Sequence, residues 1–110
     1  MSLDKMLGEI LVPRADNAGN EYPLDYHHAW DEQVRSVAGG LTILRTAKGH
    51  WVSPEGKLFA EPMIPVRMLC TEEQLHSIAE LTMQHYGQEA VLAYKISDKI
   101  VLLHRKDITH

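Results

Sequence analysis

Apolar positions recur with a helical period in two stretches of the chain. From Asp25 they fall on one face of a helix, Asp25 is positioned to cap its first turn, and Gly39 ends it. The second helix opens with Thr71 and Gln74 spaced as a capping box and ends at Gly87. The face of the first helix carries Tyr26, Ala29, Trp30, Val34 and Val37, and that of the second carries Leu75, Ile78, Ala79, Thr82, Met83 and Tyr86.

Shorter apolar or alternating runs predict four strands. Prolines at 62 and 65 cannot donate to a ladder, so part of the third strand must be a sheet edge or carry a bulge. A turn from Ser53 to Lys57 joins the second and third strands into a long antiparallel hairpin. Ile100 to Leu103 is either a fifth strand or an extension past a bulge. The four strands are Glu9 to Pro13, Leu41 to Thr46, Pro62 to Leu69 and Ala90 to Ile96.

The order strand, helix, strand, strand, helix, strand predicts an α+β fold of the ferredoxin-like type. Both helices then lie on one face of an antiparallel sheet whose spatial strand order is four, one, three, two. We expect one domain over residues 1–110, with residues 1–7 either disordered or leading into the first strand.

Charge and cysteine content narrow the function classes. The net charge is −4 and the 11 Lys and Arg residues are scattered, which argues against nucleic-acid binding. Cys70 is the single cysteine, so an internal disulfide is impossible and a reducing compartment is favoured. No apolar run approaches the ~18 residues of a membrane span. We therefore expect a cytoplasmic protein with no membrane partner and no cofactor.

The predicted topology brings loops from four segments to one end of the sheet, which we call the rim. Such convergence is typical of a site, although any sheet end with loops also shows it. The rim residues predicted to bind a ligand are Asp16, Asn17, Trp51, Gln88 and Glu89. The candidates for acid and base chemistry are Glu61, Glu89 and His85, and the other rim residues are Tyr22, His27, His28 and His50.

Metal binding and nucleophilic catalysis have weaker support. His27, His50 and His85 are the candidate metal ligands, but no histidine pair has the i, i+4 spacing of ligands on one helix face. Surface histidines are the favoured interpretation, so we expect no metal site. No serine lies in a nucleophile motif, and Cys70 at the opposite edge is better explained as a buried apolar filler. Trp30 belongs to the predicted core, whereas Trp51 on the hairpin is favoured as an interface residue.

Several short motifs, in this order, resemble those of a group of small uncharacterised bacterial proteins of similar length. The resemblance implies a compact α+β protein and brings no activity, cofactor or catalytic residue. An aromatic residue is common before the glycine pair in that group, and Ala38 stands there in this chain. The motifs are Val12-Pro13, Asp16-Asn17-x-Gly19, Gly39-Gly40-Leu41-Thr42, Gly49-x-Trp51 and Tyr86-Gly87-Gln88-Glu89.

The predicted architecture is also similar to small trimeric regulatory proteins of the nitrogen-signalling and copper-tolerance type, whose hairpin reaches toward a neighbour or partner. We therefore expect a homo-oligomer, dimer or trimer, that binds a small ligand or a protein partner. Two alternatives stay open: a small isomerase or lyase that uses carboxylates and a histidine at the rim, and an adaptor subunit of a larger complex.

Overall fold

The structure is a computed structural model that describes residues 4–108. The described residues contain two 15-residue helices and a 3-10 turn at Arg105–Asp107. The helices are α1 at Leu24–Ala38 and α2 at Glu72–Tyr86. The strands are β1 at Met6–Pro13, β2 at Thr42–Ile43, β3 at Ala47–Val52, β4 at Leu58–Cys70 and β5 at Ala93–Ser97.

The strands form one antiparallel sheet in the order β2, β4, β1, β5, and β3 extends the β2 edge by pairing with β4. This is the predicted strand order, and it confirms the α+β ferredoxin-like fold. β1 is longer than predicted because it begins at Met6, so part of the segment expected to lead into the first strand belongs to the sheet.

Both helices cover the same face of the sheet, and the core lies between these layers. Alternate residues of β1 and β4 face the helices, among them Ile10, Val12 and Val66, each nearly inaccessible to solvent. Trp30 of α1 is buried as predicted, and its indole nitrogen donates to the Thr82 hydroxyl of α2 at 2.9 Å. This bond satisfies the polar atom of a buried tryptophan and ties the two helices together.

The predicted second strand, Leu41 to Thr46, is wrong in its extent, because the structure divides this edge between β2 and β3. Three residues lie between Ile43 and Ala47, whereas two lie between their β4 partners Val66 and Met63, so the outer edge carries one extra residue. The bulge lies opposite Pro65, whose carbonyl accepts from the Leu44 amide at 2.9 Å. A proline cannot donate in return, so the ladder is interrupted at this point.

The helix ends follow the predicted capping chemistry at three of their four positions. The Thr71 and Gln74 capping box is present, and Gly39 and Gly87 end the helices in left-handed conformation. The exception is the start of α1, where Pro23 occupies the cap position without a side-chain bond. Asp25, predicted as the cap, lies in the first turn instead, because Pro23 supplies the fixed extended backbone that precedes the helix.

Residues 98–104 form no strand, so the run from Ile100 to Leu103 does not extend the sheet. Its side chains are largely exposed, and Val101 reaches 91% exposure. Three successive apolar residues, Val101, Leu102 and Leu103, are therefore exposed in the single chain, and Ile100 is partly buried.

Candidate functional site

Five aromatic and histidine side chains join the start of α1 to the end of α2 at the rim. Tyr22 donates to the carbonyl of Tyr86 at 3.1 Å, and Tyr26 donates to the carbonyl of His85. The rings of Tyr22 and Tyr26 stack with centroids 5.3 Å apart. The His85 Nε2 lies 2.9 Å from the Tyr26 carbonyl, and since a carbonyl only accepts, Nε2 carries the proton.

Burial keeps two members of this cluster neutral. The His27 Nδ1 lies 2.6 Å from the Tyr86 hydroxyl, and both side chains are largely removed from water. Burial lowers the pKa of His27. The neighbouring His85 and His28 lower this pKa further, whereas the charge of Asp31 raises it. Burial also strongly raises the pKa of Tyr86. At neutral pH the pair is therefore an uncharged hydrogen bond between the helices.

The structure brings Asp16 and Gln88 to the same end of the molecule. Burial raises the pKa of the Tyr22 hydroxyl, and the negative charge of the nearby Asp16 carboxylate raises it further. Tyr22 is bonded to Tyr86, two residues before Gln88. The predicted rim therefore exists around Asp16, Tyr22, His27, His85 and Gln88.

Four of the five predicted ligand-binding residues have side chains that the structure describes. The Asp16 carboxylate accepts from the amides of Ala18 and Asn20, both at 2.9 Å, and these bonds, that of Asn20 foremost, lower its pKa. Asp16 therefore closes its own turn. Asn17 and Glu89 are exposed. The Gln88 side-chain oxygen is buried and, within residues 4–108, has no hydrogen-bond partner.

The hairpin projects beyond the rim. Glu61 pairs with Gly49, and the neighbouring Pro62 accepts from the Arg14 amide at 3.2 Å, so Glu61 lies beside the end of β1. His50 pairs with Ala60, which is three positions beyond Met63, the partner of Pro13 at the end of β1, or roughly 10 Å along the strand. Trp51 follows on β3, and its side chain is not among those described. No hydrogen bond or ion pair in the described chain joins Glu61, Glu89 and His85, and their catalytic role stays a prediction.

Metal coordination has no grouped ligands in the described part of the chain. Between residues 4 and 108, no three side chains of His, Cys, Asp or Glu lie close enough together to hold a metal ion. His27 and His85 contact tyrosines, as described above, and His50 lies out on the hairpin.

A charged cluster that sequence reasoning missed lies on the sheet face away from the helices. Glu9 of β1 is only 6% exposed although no helix covers this face. Its carboxylate accepts from the Arg67 Nε at 2.8 Å and from the Tyr94 hydroxyl. Burial raises the pKa of Glu9, but the hydrogen bonds from Arg67 and Tyr94 and the charge of Arg67 together outweigh it, so the pKa lies below its ordinary value. Glu9 pairs with Arg67 on one side and Tyr94 on the other, so three adjacent strands present the cluster in register.

The same face, which we call the open face, is otherwise apolar. By the alternation that sends Ile10 and Val12 to the helices, their neighbours point the other way. Leu92, Tyr94 and Ile96 at the β5 edge are exposed, Leu92 at 60%. The remaining apolar members, each partly buried, are Leu7, Leu11, Met63, Pro65 and Leu69.

Comparison with solved structures finds the same architecture in proteins of very different sequence. CutA1 from Oryza sativa superposes with a TM-score of 0.66 over 96% of this chain and 88% of its own, at 12% identity. The fold is that of the CutA1 proteins. The divalent cation tolerance protein CutA1 from Thermus thermophilus gives a TM-score of 0.61 at 10% identity, covering 94% and 90% of the two chains.

A third similar structure is a phage SAM lyase in complex with S-methyl-5'-thioadenosine, with a TM-score of 0.64, 12% identity and coverage of 84% and 81%. At such identities these likenesses show the fold alone. No family model and no curated protein matches the sequence. The comparisons therefore support the ferredoxin-like pattern of the small bacterial proteins that the motifs resemble, and nothing further about that resemblance.

Membrane insertion through a helix has no candidate in the described residues. Neither α1 nor α2 has the length and apolar content that crossing a bilayer requires. The cytoplasmic location stays a prediction.

Proposed function

We propose that the protein is a self-associating binding module whose copies pack through the open face. The observation that carries the proposal is the position of both helices on one side of the sheet, which leaves apolar residues of three strands uncovered on the other. Sheets bury apolar faces against a second layer, and here a second copy would supply it. The likeness to CutA1 supports a regulatory module as a fold-level analogy.

The Glu9 and Tyr94 side of the charged cluster fits such an interface, with Arg67 at the border nearest to β2. A carboxylate already paired with a guanidinium and a hydroxyl can be covered without leaving a charge unmatched. Its fixed position among apolar residues would also define one register between copies, because a slipped arrangement would set charged atoms against leucines.

Two substitutions of matched exposure test the assembly. Leu92 on the open face and Leu24 on α1 are 60% and 69% exposed, so glutamate at either position is tolerated by the single chain. We expect light scattering at micromolar concentration to give an oligomer for the wild type and for Leu24→Glu, and a monomer for Leu92→Glu. A monomeric wild type, or equal masses for the two variants, would contradict the proposal.

The enzyme and adaptor alternatives stay predictions without an observation of their own. One structural neighbour is a lyase, but at 12% identity it carries only the fold. The candidate groups Glu61, Glu89 and His85 form no hydrogen-bonded constellation with one another in the part of the chain that is described.

A further inference from the structure

A cleft opens at the edge of the sheet where β2 stops. β2 pairs with β4 only at Arg67 and Val66, so β4 beyond Arg67 has no strand partner on that side. The cleft has a volume of about 310 Å³, at the small end of the range for small-molecule sites. None of the rim residues that were predicted to bind a ligand lines this cleft.

The walls of the cleft combine apolar surface with two cations. Leu7, Leu41, Met68 and Leu69 supply the apolar side chains. Lys5 and Arg67 supply positive charge, and no carboxylate lines the cleft. The described chain gives Lys5 no ion pair. This combination matches a ligand with an anionic group and an apolar body.

Arg67 is held in place by a buried group behind it. Its Nε donates a hydrogen bond to Glu9. The Glu9 side chain is more than nine-tenths buried and also accepts a hydrogen bond from the Tyr94 hydroxyl. The two terminal nitrogens of Arg67 make no hydrogen bond to any residue from 4 to 108. A guanidinium fixed through Nε still presents its end-on pair of N–H donors, which is the geometry that binds the two oxygens of a carboxylate.

The charges near the cleft favour a single negative charge over two. Lys5 and Arg67 contribute two positive charges and Glu9 one negative charge, which leaves one positive charge in total. The C-terminal end of α1 opposes an anion through its carbonyl dipoles. Two of those carbonyls are engaged, since Gln74 Nε2 donates to Val37 at 3.0 Å and the Gly39 amide donates to Arg35 at 2.9 Å.

We propose that this cleft is a binding site for a small carboxylate with an apolar body, held by Arg67 and Lys5. The terminal nitrogens of Arg67 donate hydrogen bonds to the carboxylate oxygens, and Lys5 adds a positive charge at the open side of the cleft. Leu7, Leu41 and Leu69 cover the alkyl part of the ligand. Every residue of the site comes from a single chain. Because Leu7, Leu69 and Arg67 also lie on the open face, the proposal requires that assembly leave the β2 edge of the sheet uncovered.

The test is an amide NMR titration of the full ¹⁵N-labelled chain with hexanoate, with neutral hexanamide as the matched ligand. We expect saturable shifts around Leu41, Thr42 and Met68 for hexanoate and weaker binding of hexanamide. Arg67→Gln should weaken hexanoate binding roughly tenfold to a hundredfold, as for a lost charged hydrogen bond. Lys5→Gln should weaken it about twofold to fivefold, as for an exposed charge.

Several controls keep the result interpretable. Arg67→Gln leaves Glu9 buried without its partner and is expected to lower stability, so the exposed Lys5→Gln variant carries the test independently. Lys48→Gln on β3, outside the cleft, should bind as the wild type does. The Leu92→Glu variant should also retain binding, which separates this site from the assembly. Absence of saturable shifts, equal binding of hexanamide, tighter binding of inorganic phosphate, or unchanged affinity in Lys5→Gln would overturn the proposal.

Discussion

His27 makes the fold sensitive to mild acid. Its folded-state pKa lies below the ordinary value of 6.5, so on acidification the unfolded chain takes up the proton first. We expect the free energy of unfolding to fall between about pH 7 and pH 5.5, by at most about 1.4 kcal/mol per pH unit for this one proton. The groups facing His27 are Tyr86, Tyr22, His85, His28 and Asp31.

Urea unfolding of the wild type and of a variant without the His27 imidazole, over this pH range, measures the pH dependence of the free energy of unfolding. His27→Gln should flatten the pH dependence, whereas His28→Gln, an exposed neighbour on the same helix, should keep the wild-type slope. An unchanged slope in His27→Gln would show that another group titrates in this window.

At the residue scale, sequence reasoning found the rim but not the cluster on the open face. Tyr22, His27 and His85 could be placed together because the predicted topology joins the ends of β1 and α2. Glu9 could not be found in this way, since a charged residue on a strand face without helices normally points into water. Its burial depends on Arg67 and Tyr94 lying directly opposite it across two pairings, and that register follows only from the structure.

At the scale of elements, α2 approaches the sheet closely at Gly8 of β1. A Cβ atom at this position would lie 3.1 Å from Cys70 Sγ and 3.2 Å from Leu75 Cδ1. We expect Gly8→Ala to lower the free energy of unfolding by about 1 to 2 kcal/mol, because overpacking outweighs the entropy removed from the unfolded chain. Urea denaturation measures this change.

Gly40 provides the matched control. A Cβ atom there would meet no heavy atom within 4 Å, so Gly40→Ala should be neutral or slightly stabilising. If the two variants had the same urea midpoint, the packing of α2 on β1 would be looser than the structure shows.

The elements that sequence could predict best are those with local signals. The capping box at Thr71 and the stop at Gly87 specify α2 without any distant contact. The split of the predicted second strand was beyond such reasoning, since the bulge depends on how Pro65 meets Leu44 across the sheet. The run from Ile100 to Leu103 has the composition of a strand, yet no strand edge in the described chain pairs with it.

At the scale of the whole molecule, one sheet face is covered by helices and the other is not. The exposed apolar residues of β5 and of the segment after it add to the uncovered area. A chain of 110 residues gains little from leaving such a surface in water, and covering it with a second copy is the arrangement that the layered fold favours. We therefore expect the open face to be buried in solution.

Methyl NMR with a soluble paramagnetic agent tests this claim most directly. The methyl groups of Leu92 and Leu24 have similar exposure in the single chain, 60% and 69%, so only assembly can make them differ. We predict that the agent broadens the Leu24 signals and spares those of Leu92 and Ile96. Equal broadening of Leu92 and Leu24 would show that the open face is bare and would contradict the proposed assembly.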